Sequence, residues 1–171
     1  MKVQDLFRDF ALRPAVAARM LPPLTHQQLN THLGQHPNSI AWLLWHAGRE
    51  VDTQFAELSG EEEVWTSQGF RERFRLGPIG DTMGYGHTRL DAARIVVDNQ
   101  ELLVEYLAAT LDRCVAYVDQ LEEEHWDDVV DHSWEFPVTR ATRLVSLVDD
   151  AAQHVGQAAF VAGALATASD S

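Results

Sequence analysis

Residues 98–118 read DNQELLVEYLAATLDRCVAYV. Leu102, Leu103, Tyr106, Leu107, Leu111, Val115 and Val118 recur at the three- and four-residue spacing of an amphipathic α-helix. Asp98 stands three residues ahead of Glu101, the spacing of a capping box. The helix is therefore expected to open at Asp98, or near Thr88 if the preceding segment joins it. Cys114, the one cysteine of the chain, falls on this helix among Leu111, Val115 and Val118. Those neighbours predict a buried, inert thiol, and a lone cysteine closes no disulfide within the chain.

Downstream, EEEHWDDVVDHSWEF (residues 122–136) is too acidic and too aperiodic for a core helix. It reads as a connection closed by Pro137, after which Thr139 caps another helix reaching about Ala166, with residues 165–171 as a tail. Upstream, residues 61–87 hold Gly69, Gly77, Pro78, Gly80, Gly84 and Gly86, a density that predicts a long irregular excursion. Before it, Ile40 to Leu58 opens with IAWLLW and becomes amphipathic through Val51 and Phe55. Asn38 or Ser39 is expected to cap this helix, and Gly60 to stop it. LPPLTHQQLNTHLGQHPNS (residues 21–39) is a connection with at most one helical turn, starting near Thr25. The first segment, Val3 to Met20, carries Leu6, Phe7, Phe10, Leu12 and Val16 around Pro14, and predicts a kinked helix or two short ones.

Four long helices, no strand pair with hairpin turn chemistry and no short repeat predict one all-α domain, a four-helix bundle with long connections. The 171 residues, 46% hydrophobic and 23% charged, suit one folded core. Twenty-six acidic residues against 13 Lys+Arg leave a net charge of −13, which opposes binding to nucleic acid and to anionic lipid. No run approaches the ~18 apolar residues of a membrane span. MKVQDLFRDF places acidic residues where the apolar core of a signal peptide would lie, so the chain reads as cytoplasmic. No nucleophile elbow, phosphate loop or cysteine cluster supports a serine hydrolase, a nucleotide-binding protein or a zinc finger.

The chemistry concentrates on two helices. Asp150 and His154 are four residues apart, hence stacked on one face of the last helix, with Leu147, Ala151, Ala158 and Val161 beside them. His46 and Glu50 form the same kind of pair on the second long helix. Imidazole nitrogen and carboxylate oxygen are ligands for divalent metals, and bundle interiors build such sites from facing helices. A hydrogen-bonded core histidine with a polar partner is the other reading of the same spacing. His26, His32 and His36 in the first connection, and His125 and His132 in the acidic one, are expected in solvent, and His87 in GYGHT at a turn. Trp42, Trp45 and Trp65 suit either core or a pocket wall. Arg49 and Arg140 are expected in surface pairs, with binding of an anionic substrate or neutralisation of Asp150 as alternatives.

LTHQQLNTHLGQHPNSIAWLLWHAGREVD, GPIGDTMGYGHT and DDAAQHVGQAAF together resemble the DinB-like superfamily, similar to its YfiT-type hydrolases and its mycothiol-dependent isomerases. The resemblance runs from about Leu24 to Gly163, and is most specific at WLLWHAGRE and HVGQ. It implies a four-helix bundle with a divalent metal (zinc, nickel or iron) held by one histidine of the second helix and two of the fourth. His46 takes the first of those places and His154 the last. Asp150 stands where the pattern has histidine, so the implied ligand set is His46, Asp150 and His154.

Two functions follow from the resemblance. One is a metal-dependent enzyme, a thiol-dependent transferase or a hydrolase acting on a small molecule, with a low-molecular-weight thiol as possible co-substrate. The other is a non-catalytic bundle, stress-related or ligand-binding, with a degenerate metal site. A homodimer is also expected, since the small residues of AAFVAGALA allow close helix approach.

Overall fold

The computed structural model describes residues 2–169, with side chains through residue 167. Helix α1 (Val3–Arg19) passes through Pro14 as one continuous element, not the two short helices allowed by the sequence. Pro14 is buried with Ala11, Ala15 and Ala18, and the packing of that face offsets the hydrogen bond that the ring removes. A single turn, α2 (His26–Asn30), follows, capped by Thr25, whose hydroxyl accepts from Gln28 N at 3.2 Å.

Helix α3 (Ile40–Ser59) is capped by Ser39, whose hydroxyl accepts from Trp42 N at 3.1 Å, and it ends at Gly60. The excursion that follows is more ordered than its glycines suggest. It contains α4 (Val64–Ser67), α5 (Phe70–Phe74), a 3₁₀ turn over Gly77–Asp81 and α6 (Arg89–Ala92). Trp65, Phe70 and Phe74 set their rings 5.4, 4.9 and 5.7 Å from Tyr106, so the segment is a packed cover. Burial of those four rings is what orders short helices that would not persist alone.

Helix α7 (Gln100–Asp119) is separate from α6, and its cap is Asn99, not Asp98. Asn99 Oδ1 accepts from Leu102 N at 3.2 Å. Two adjacent residues with capping side chains compete here, and the one whose N3 partner is Leu102 wins. The acidic connection holds a minimal antiparallel pair, β1 (Val129–Asp131) and β2 (Val138–Thr139), with Val129 opposite Thr139 and Asp131 opposite Val138 across a bulge. This corrects the expectation of no strand pair: segments this short carry no readable alternation. Helix α8 (Arg140–Ser169) opens where Thr139 Oγ1 accepts from Thr142 N at 3.2 Å. It remains helical through Ser169, inside the expected tail; residues 170 and 171 lie outside the described residues.

Helices α3 and α1 each pack against both α7 and α8, so α1 stands across the bundle from α3 and α7 from α8. Ile40, Leu44, Trp45, Leu103, Tyr106, Leu111, Cys114, Leu144, Val148 and Ala158 are fully buried between them. A Cβ on Gly48 would stand 2.6 Å from the Tyr106 ring, so α3 and α7 approach this closely only with glycine there. Burial pushes the Cys114 thiol well up from its ordinary value, as expected of an inert core cysteine. Among the described residues, no helix is long and apolar enough to cross a membrane.

Candidate metal centre

His46 lies on the buried side of α3, 5% exposed, and meets Asp150 and His154 of α8 where the two helices pack. The imidazoles of His46 and His154 are edge to face, centroids 4.5 Å apart. One ligand-type atom from each of His46, Asp150 and His154 lies within 4.8 Å of the other two. Residues from separate ends of the sequence converge because each sits on the stripe its helix turns toward the other.

Main-chain carbonyls orient both rings. His46 Nδ1 donates to the Met83 oxygen at 2.5 Å, and His154 Nδ1 donates to the Asp150 main-chain oxygen at 2.9 Å. Nδ1 is thereby committed in each ring, which leaves Nε2 as the nitrogen open to a metal. Trp42 stacks on His46 at 4.5 Å and 23°. The Met83 carbonyl reaches His46 because the next residue is Gly84, at φ 94°. A Cβ there would fall 2.8 Å from His46 Nδ1, 3.0 Å from Trp45 and 3.2 Å from Trp42.

His87 does more than shape the turn expected for it. Its ring stacks on Trp45 at 5.7 Å and 17°, its Nδ1 accepts from Trp42 Nε1 at 3.2 Å, and its Nε2 donates to Thr82 Oγ1 at 2.9 Å. Burial lowers the pKa of His87, which keeps Nδ1 free to accept. Trp42 thus walls the site, with Trp45 behind it against His87, whereas Trp65 packs away from it against Tyr106 and Arg49.

Arg49 is not a surface residue but is 1% exposed. Its guanidinium donates to the carbonyls of Thr82 (3.1 Å) and Asp81 (3.2 Å), to Glu63 (2.9 Å) and to the Tyr106 hydroxyl (3.2 Å). Asp52, also buried, accepts from Val64 N (2.8 Å), Trp65 N (2.7 Å) and Tyr106 Oη (2.8 Å). Burial raises the Asp52 pKa despite these donors. The network fastens the excursion to α3, and Arg49 grips the two carbonyls just before the one that orients His46.

Asp150 Oδ2 is buried and, although 3.0 Å from His154 Nδ1, has no hydrogen-bond partner, because that N–H is directed to the main-chain oxygen. Burial pulls the His154 pKa down, but the Asp150 carboxylate outweighs it and the net direction is up. Burial pushes Asp150 up, and contact with His154 and Glu50 takes it below its ordinary value. Glu50, paired with His46 in the sequence but left out of the ligand set, places Oε2 3.0 Å from His46 Nε2. Two imidazoles with Nδ1 committed to carbonyls and a buried carboxylate oxygen without a hydrogen-bond partner fit a divalent cation.

The remaining histidines lie outside this cluster. His26 pairs with Asp98 at 2.6 Å and His125 with Asp128 at 3.0 Å, both at the surface. His32 and His36 make hydrogen bonds within their own connection, and His132 is exposed. Arg140 is held by Asp128 (3.2 Å), the His125 carbonyl (3.0 Å) and the Tyr117 hydroxyl, a local tie that does not involve Asp150.

The comparisons with known proteins agree with the bundle fold. No curated protein matches the chain. A conserved protein from Enterococcus faecalis, known from its crystal structure, is similar throughout: TM-score 0.86 and 38% identity, over 95% of this chain and 96% of that one. The sequence model of the DinB superfamily matches residues 10–158. With the bundle and most of its length accounted for in this way, the chain belongs to the DinB superfamily.

Proposed function

We propose that the chain is a divalent-metal-dependent enzyme whose metal, zinc, nickel or iron, is held between α3 and α8 by His46, Asp150 and His154. The observation that carries this reading is the paired tie at Nδ1. Two histidines from different helices each spend Nδ1 on a main-chain carbonyl, beside a carboxylate oxygen with no hydrogen-bond partner. Such second-shell ties are how proteins aim imidazole at a metal.

Three protein ligands leave coordination positions for a small molecule, and a bound divalent ion supplies Lewis acidity that makes water or a thiol nucleophilic near neutral pH. Around it, Trp42 presents an apolar wall, and Gly84 leaves room for the His46 ring. The superfamily supports thiol-dependent transfer or hydrolysis as the reaction class, with a low-molecular-weight thiol as co-substrate. We further propose a cytoplasmic homodimer. Phe160, 72% exposed, stands over an open apolar groove shared with Leu33, Leu43 and Val161.

Metal analysis of protein purified without added metal tests the reading. A stoichiometric divalent ion that is lost in His46→Ala and His154→Ala is the expected result. A metal-free wild type that also fails to take up zinc in a competition titration would favour the non-catalytic bundle.

A further inference from the structure

We propose that Glu50 is a fourth protein ligand of this centre, which makes it a site of two imidazoles and two carboxylates and leaves a small molecule the remaining positions of an ion that takes five or six ligands. The proposal rests on the metal reading above. Glu50 follows His46 by one turn of α3, and its side chain is 18% exposed. Its Oε2 lies 3.0 Å from His46 Nε2, the nitrogen that the Met83 carbonyl leaves for the metal. Neighbouring donors on one divalent ion stand about 3 Å apart, since bonds of about 2 Å meet at angles near 90–110°.

The other oxygen is already engaged. Gln54 Nε2 donates to Glu50 Oε1 at 2.8 Å, and Gln54 Oε1 accepts from Arg143 Nη1 at 2.5 Å. Arg143 is fixed in turn by Asp131 of β1 at 2.6 Å. This chain admits one orientation of the Gln54 amide. The flipped amide would set oxygen against carboxylate and NH₂ against guanidinium. Glu50 is thus held at Oε1 and presents Oε2, as a carboxylate ligand supported by its second shell does.

Charge gives the second argument. Two imidazoles and two carboxylates neutralise a divalent ion, whereas a three-histidine set leaves its charge whole. An oxygen-enriched, thiolate-free set of this kind suits iron(II) and zinc among the metals proposed above, and disfavours copper(I).

The test is a Co²⁺ titration of wild type, Glu50→Gln and Gln54→Ala, following the visible d–d bands, with Zn²⁺ affinity measured by competition against a chromophoric chelator. Circular dichroism confirms that each variant is folded. Glu50→Asp, which keeps the charge on a shorter arm, serves if Glu50→Gln fails to fold. Glu50→Gln is expected to weaken both metals by about 10- to 100-fold and to alter the Co²⁺ spectrum; Gln54→Ala should weaken them less and leave the spectrum in place. Glu50→Asp should likewise alter the spectrum. Wild-type affinity and spectrum in the Glu50 variant would overturn this assignment alone. A wild type that binds neither ion would overturn the metal reading and this proposal with it.

Discussion

His46 Nδ1 donates to the Met83 carbonyl at 2.5 Å, a bond that joins α3 to a glycine-rich turn 37 residues further along the chain. A side chain on the neighbouring Gly84 would occupy the space the imidazole needs. The turn therefore sets the position of the His46 ring directly.

Gly84→Ala should weaken Zn²⁺ binding by about 10- to 100-fold, the range seen when the partner of a ligating histidine is lost. Stability should fall by about 1–3 kcal/mol, from strain at positive φ and from overpacking against His46. A competition titration beside urea unfolding measures both. Unchanged affinity in a destabilised protein would show that the turn does not set the ring.

Arg49→Met removes the donor to two carbonyls, Glu63 and Tyr106, and leaves Asp52 without its cationic neighbour 3.6 Å away. Breaking a buried pair from one side costs about 3–5 kcal/mol. Urea unfolding should show a loss in that range. A loss below about 1 kcal/mol, typical of an exposed pair, would contradict the burial described here.

His87 gives a pH dependence of defined sign. Its pKa is depressed, first by burial, then by His46 and Arg94, against Asp91, which raises it. The unfolded chain therefore binds the proton more readily, and the stability from His87 is complete above the unfolded value of about 6.5 and lost as pH falls from there through the folded value. Protonation also removes the acceptor of Trp42 Nε1. His154 works in the opposite sense: its raised pKa gives stability that is full below about 6.5 and lost as pH rises through the folded value. The difference between wild type and His87→Phe, which keeps a ring on Trp45, isolates the His87 contribution. Urea midpoints between pH 5 and 8 should fall more on acidification in wild type than in the variant. Equal slopes would contradict the assignment.

Phe160→Glu places a charge on the exposed rim of the groove of α8. If the homodimer uses that face, sedimentation should show a dimer for wild type and a monomer for the variant. A wild-type monomer of 19.2 kDa would rule out the dimer.

The fold was readable where periodicity was long. The stripes of α3, α7 and α8 are each continuous over several turns, and i, i+4 stacking alone places His46 with Glu50 and Asp150 with His154. What could not be read depends on contacts distant in sequence. Arg49 looks like a solvated helix residue until the excursion folds over it, and Met83, Gly84 and His87 reach the site from a segment whose glycines signal only irregularity. The short β1–β2 pair leaves no pattern, yet Asp131 on it anchors the chain of side chains that ends at Glu50. Asp98 and Asn99 both carry a capping oxygen, and Asp98 is paired instead with His26, a contact distant in sequence.

The proposed metal centre turns on Asp150, which stands where the resemblance drawn from the sequence implies histidine. Zn²⁺ affinity should be measured for wild type, Asp150→Ala and Asp150→His, with unfolding followed in chelator to separate ligation from stability. As a ligand, Asp150 predicts weaker binding in Asp150→Ala and equal or tighter binding in Asp150→His, because imidazole is the better donor to this borderline metal. The same affinity in all three proteins, with only a stability loss of about 1–3 kcal/mol in Asp150→Ala, would make Asp150 a core partner of His154 and contradict a metal centre built on it.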